Sequence, residues 1–137
     1  MHITIVAVGQ KLPAWAQTAV DDFFFNDTAT TEIYTLSHTT LFRSVPAGDI
    51  LVAMDEHGRD MTTVDFAKKI SGWKNEGCGV TFIIGGADGL DPALKAKARM
   101  MLRLSSMTLP HAFARVLLTE QIYRAWSILA NHPYHRV

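Results

Sequence analysis

A single cysteine, Cys78, stands among 137 residues. An internal disulfide is therefore excluded, and with it any fold that depends on an oxidising compartment. Cys78 lies in Glu76-Gly77-Cys78-Gly79, beside no residue that would stabilise a thiolate, so a nucleophilic role has no support. No apolar run approaches the length that crosses a bilayer. The opening Met1-His2-Ile3-Thr4-Ile5-Val6-Ala7-Val8 lacks a basic start and is too short for a signal peptide, so the expected location is the cytoplasm. An excess of charge is missing too. Thirteen basic residues balance thirteen acidic ones, a poor match to a nucleic-acid binder, which usually carries a basic surplus. Near the end, His132 and His135 have no cysteine or carboxylate beside them. Zinc sites need three or four ligands, so no metal is expected.

What is present reads as one α/β domain. The 48% apolar and 19% charged residues are ordinary for a globular protein, and the length suits one compact core rather than two. Ile3 to Val8 is a β-branched run ended by Gly9, a buried strand. From Pro13 to about Phe23, Trp15, Ala16, Ala19, Val20 and Phe23 recur at helical spacing. After a turn at Pro46-Ala47-Gly48-Asp49, Ile50 to Met54 is a second buried strand, closed by Asp55-Glu56-His57-Gly58. Thr62 or Thr63 can cap a helix running through Phe66, Ile70 and Trp73 to Gly77. Val80 to Ile84 is a third strand, and Asp91-Pro92 opens the next helix. Leu104 to Leu109 reads as a short strand or extended loop. A last helix runs from about Ala112 to Ala130, with Val116, Leu117, Tyr123 and Ile128 among its apolar positions. Strands alternating with helices imply a mainly parallel sheet covered on both faces.

Three places carry candidate chemistry. In Ile83-Ile84-Gly85-Gly86-Ala87-Asp88-Gly89-Leu90 a buried strand ends in paired glycines and the chain enters a helix. Ligands of open α/β sheets bind beyond the carboxyl ends of the strands, and glycine lets the backbone approach them. A tight strand-to-helix turn explains the same residues equally well. The pattern is neither GxGxxG nor a Walker loop, which disfavours dinucleotides and nucleoside triphosphates. In Leu104-Ser105-Ser106-Met107-Thr108-Leu109-Pro110-His111, hydroxyl and apolar residues alternate, offering backbone polar groups for an adenine edge between apolar walls; a strand and turn before the last helix is the plainer reading. At the C-terminus, Tyr123-Arg124-Ala125-Trp126 and Asn131-His132-Pro133-Tyr134-His135-Arg136 crowd arginines that can hold phosphates and aromatics that can stack on a base or handle its proton.

These motifs, together with Val6-Ala7-Val8-Gly9-Gln10-Lys11-Leu12-Pro13-Ala14-Trp15, resemble in order and spacing those of the RlmH family, SPOUT-class methyltransferases that act on a pseudouridine in large-subunit (23S) ribosomal RNA. The resemblance covers residues 1–23 and 45–137. It implies a trefoil-knotted α/β domain, a homodimer, and S-adenosyl-L-methionine as methyl donor. By the same resemblance Met54, Gly85, Leu104, Ser105, Ser106, Met107, Thr108 and Leu109 bind the donor. Tyr134, His135 and Arg136 are the expected catalytic group at the target nucleotide, reached in the pocket of a partner subunit. A knotted methyltransferase acting on transfer RNA and a non-enzymatic α/β ligand-binding module are the alternatives. The His-Pro-Tyr-His-Arg ending speaks against the first, and binding of S-adenosylmethionine would exclude the second.

Residues 24–44 stand apart. They are rich in threonine, contain no lysine and follow no clear period. Asn26 to Ser37 resembles the translation of a common short-read sequencing adapter, and His38 to Ser44 its remainder in a shifted frame. The segment reads as a non-native insertion replacing a longer, basic native stretch, within one domain spanning 1–137; the alternative is a Thr-rich hairpin or loop. That replacement accounts for the missing basic surplus, and it implies lower stability and weaker RNA binding than in an intact relative.

Overall fold

A computed structural model describes residues 2–7, 12–25, 32–37, 45, 47–85 and 89–134; for 23–25 and 32–37 it describes the backbone only. In chain order the elements are β1 (His2–Ala7), α1 (Ala14–Phe25), β2 (Glu32–Ser37), β3 (Ile50–Arg59), α2 (Thr63–Asn75), β4 (Val80–Ile84), α3 (Pro92–Lys97), β5 (Met100–Leu102) and α4 (His111–Leu129). The strands form one sheet in the order β2-β1-β4-β3-β5, and every pairing is parallel.

Alternation along the strands sends side chains to two faces, and each face has its own core. On one, Ile3, Ile5, Val52, Phe82 and Ile84 pack against Phe66, Ile70 and Trp73 of α2 and Leu118, Ile122 and Ala125 of α4. On the other, Val6, Leu51, Ala53 and Ile83 meet Leu90 and Leu94 around α3. Both faces are therefore buried, which is why the strands read as continuous apolar runs. Helix α1 seats Ala16 and Val20, with Leu12, on Ala112 and Val116 of α4. The anticipated caps are in place: Thr62 Oγ1 accepts the amide of Asp65 at α2, and Asp91 that of Ala93 at α3.

Four readings from the sequence need correction. Strand β3 does not stop at Met54 but runs on to Arg59, where it pairs with Leu102 after an irregularity. Gly58 makes this possible: a Cβ there would lie 2.7 Å from the Leu102 backbone. The short strand lies earlier than the sequence places one, at β5, and of the two readings of Leu104 to Leu109 the extended loop is the one found. In α4 the buried residues are Arg115, Leu118, Thr119, Ile122, Ala125 and Ser127, whereas Leu117 is exposed. Finally, Glu32–Ser37, inside the adapter-like segment, lies along β1 as the edge strand of the sheet.

The two glycines with opposite surroundings give a paired test. Gly58→Ala has no room and should destabilise the fold by roughly 1–3 kcal/mol. Gly72→Ala, in the interior of α2 with nothing within 4 Å of a new Cβ, should stabilise it by about 0.5–1 kcal/mol. Urea unfolding of both variants measures this; equal shifts would contradict the described packing of β3 on β5.

Candidate functional site

Strands β4 and β5 end at one level, on either side of β3, which runs on past them. Met54 pairs with Ile84 on one side and with Leu102 on the other, so the chain leaves β4 and β5 beside the same point of β3. The exits enclose a cleft of about 690 Å³, within the range of small-molecule sites. Met54, Ile84 and Leu102 form one end of it. Gly85 and Gly89 line it from the loop after β4; Leu104, Ser105, Met107, Thr108 and Leu109 line it from the loop after β5. Gly85 is tightly placed, for a Cβ would lie 2.7 Å from the Gly89 carbonyl carbon, and Gly89 has φ +77°, a conformation that favours glycine. In the second loop the Ser105 hydroxyl accepts the amide of Met107 at 2.9 Å, folding the chain back over the cleft.

Of the residues expected at a methyl-donor site, Met54, Gly85, Leu104, Ser105, Met107, Thr108 and Leu109 thus share one cleft, while Ser106 is exposed and is not among its lining residues. Gly86, Ala87 and Asp88 lie outside the described residues. Tyr134 is elsewhere. Its hydroxyl donates to Glu120 at 3.2 Å, its ring meets Tyr123 edge-on at 4.7 Å, and the Arg124 guanidinium lies 5.0 Å above it. Burial and the Glu120 carboxylate hold the phenol above its ordinary pKa. Glu120 sits about 14 Å of helix rise beyond His111, where α4 meets the cleft. His135 and Arg136 lie outside the described residues.

The cleft also contains polar groups that the sequence reading passed over. Asp55, on the extension of β3, is half-buried as a residue, but its side chain is largely covered and paired with Lys95 at 2.7 Å. The Lys95 ammonium and the His57 amide hold its carboxyl below the usual carboxylate range. Arg103 lines the rim and forms two bonds to Asp60, at 2.5 and 2.6 Å. At the opposite wall α4 begins with Pro110 as N-cap, without a side-chain cap and without an acidic residue in its first turn. His111 lines the cleft there. Burial, and then the Arg115 charge, lower its pKa, so its imidazole is neutral at neutral pH.

The His111 shift has a definite sign. Below about pH 6.5 the unfolded chain takes up a proton that folded His111 resists, so this group subtracts stability as the solution is acidified and has no effect above that range. His111→Gln should therefore show a smaller loss of urea midpoint than the parent between about pH 7.5 and 5.5. Identical losses would contradict the assignment.

The groups present fit a sulfonium-bearing amino-acid nucleoside: apolar walls from Met54, Leu104 and Leu109, backbone polar groups of two loops, one buried carboxylate, and an uncapped helix start. Comparison with known proteins points the same way. The family described as "Predicted SPOUT methyltransferase" matches residues 1–135. "Ribosomal RNA large subunit methyltransferase H" from Polynucleobacter asymbioticus is 48% identical over 146 residues, covering 99% of each chain. The protein of that name from Ralstonia pickettii is 46% identical over 157 residues, covering 100% of each; this alignment is longer than the present chain and so opens gaps in it. Among solved structures, "a probable methylase family protein from Haemophilus influenzae Rd KW20" aligns with a TM-score of 0.67 over 98% of this chain and 70% of that one, at 13% identity. That last likeness is one of fold. The strand-end cleft and the full-length sequence matches lead to one assignment: this chain belongs to the SPOUT methyltransferases, in the ribosomal RNA large subunit methyltransferase H family.

Proposed function

We propose that the chain methylates N3 of a pseudouridine in the 23S RNA of the large ribosomal subunit, with S-adenosyl-L-methionine as donor, as a cytoplasmic homodimer with a knotted cofactor site. The observation that supports it most is the meeting of the Gly85–Gly89 and Leu104–Leu109 loops around one cleft. When bound, S-adenosylmethionine supplies a methyl group activated by its sulfonium. The chain's own part is to hold the acceptor in line with that methyl and to keep water out. The N3 proton must also leave, which needs a base or a polar group that stabilises the developing anion.

Tyr134, His135 and Arg136 are the proposed groups at the target nucleotide. Tyr134 packs against the middle of α4, away from the cleft of its own chain. The tail would therefore complete the cleft of a second copy. An apolar patch favours such pairing: Trp15 and Phe113 are each 50% exposed and their rings meet at 5.0 Å, tilted by 45°, with Leu117 one turn further along α4. The chain is proposed to be one domain in which 24–44 replaces native sequence. Resequencing the source DNA decides this, and an intact native frame encoding these residues would reject it.

With labelled donor, 23S RNA should accept methyl groups and transfer RNA should not; the reverse would reassign the substrate. The shared site has its own test. A cleft-filling Thr108→Trp and a tail variant His135→Ala should each be inactive alone. Mixed, they should recover about a quarter of the parent activity, because half of randomly paired dimers carry one intact site of two. No recovery on mixing would place the tail at its own subunit's cleft.

A further inference from the structure

Among the described residues, the buried side-chain nitrogens and oxygens without a hydrogen-bond partner are three: His111 Nε2, Arg115 Nε and Arg115 Nη1. They belong to two residues one turn apart at the start of α4. Arg115 is only 3% exposed. A buried guanidinium with two of its three nitrogens lacking an acceptor is costly to keep, and a positive side chain in the first turns of a helix is unfavourable against the helix dipole. The local setting adds to the imbalance. Pro110 provides no side-chain cap and the first turn has no carboxylate, so the amide groups at this helix start also lack an anion. His111 and Ala114, which flank this guanidinium in sequence, line the cleft.

Arg115 itself is not among the lining residues, but the helix start, the imidazole that lines the cleft and the guanidinium buried one turn along α4 would all be served by one negatively charged acceptor. We propose that Arg115, helped by His111 and the first amides of α4, forms the anion subsite that binds the amino-acid carboxylate of the methyl donor. The inference rests on the S-adenosylmethionine reading above. A carboxylate at the end of a short flexible chain can reach a group this deeply buried, whereas a phosphate within a polynucleotide is held at the surface by its neighbours. Two oxygens can accept from Arg115 and from His111 Nε2–H together, satisfying the orphaned atoms in one step. The cleft's other fixed charge pair, Asp55 with Lys95, already balances itself.

Calorimetry with S-adenosylmethionine and with its decarboxylated analogue, which keeps the sulfonium and the amine, tests this on the intact protein. The parent should bind the full donor roughly ten- to a hundredfold more tightly than the analogue. Arg115→Met should lose most of that preference while binding the analogue as before, and should melt no lower than the parent because it removes an unpaired buried charge. Equal binding of the two compounds by the parent overturns the subsite whatever the variant does. Equal loss of both in Arg115→Met, with a lowered melting temperature, would make Arg115 a structural residue instead. Unchanged donor preference with weakened RNA binding would assign the group to a phosphate and overturn the proposal. A parent that binds neither compound would refute the donor reading itself, a result distinct from failed discrimination.

Discussion

The alignment of Ile84, Met54 and Leu102 across three parallel strands is the constraint on which the rest of the site depends. Parallel pairing forces the chain to leave each strand at the same edge of the sheet. The register puts those exits side by side, so two loops that are distant in sequence become the two sides of one cleft. A register slip of one residue would turn each of these side chains to the opposite face. The cores on the two faces resist that slip: Phe82 and Ile84 are locked against α2 and α4, and Ile83 against α3. Catalytic geometry and folding stability are thus set by the same backbone pairing.

At the other edge of the sheet a buried polar cluster complements this. Asp49 accepts from Thr81 Oγ1 at 2.9 Å and lies 3.0 Å from His2 Nε2, which ties the start of β3 to β1 and β4. The site end and the opposite end therefore differ in kind. Among the described residues, the cluster at the opposite end is satisfied internally, whereas the cleft end keeps an uncapped helix start and unpartnered nitrogens at the start of α4. Such a concentration of unpartnered polar atoms is unusual in a folded protein.

Much of this was legible in the sequence. The β-branched runs of β1, β3 and β4, the Thr62 and Asp91 caps and the paired glycines each have a local physical cause. What was not legible depends on partners far along the chain. Asp55 to Gly58 reads as the close of the strand because its residues are polar or glycine, yet β3 continues through it and Arg59 pairs again with Leu102 of β5. Met100–Leu102 is too short to show a period. The inward face of α4 contains Arg115, Thr119 and Ser127; the latter two are tolerated because their hydroxyls donate to the carbonyls of Arg115 and Arg124. Trp15 falls at an apolar helical position but lies half exposed against Phe113. At the site, the glycine and hydroxyl-rich loops could be singled out by residue type. Asp55 and Lys95 could not, since only the sheet brings them to the cleft, and His111, although it closes the hydroxyl-rich motif, shows its burial only in the fold.

The central claim is that the loops after β4 and β5 act as one binding surface. Titrating isotope-labelled protein with S-adenosylmethionine and following the backbone amides by NMR tests it most directly. Gly85, Gly89 and the amides of Leu104 to Leu109 should shift together along a single binding curve, with the start of α4 following the same curve. Saturation of one loop without the other, or shifts confined to surfaces away from the strand ends, would contradict the account.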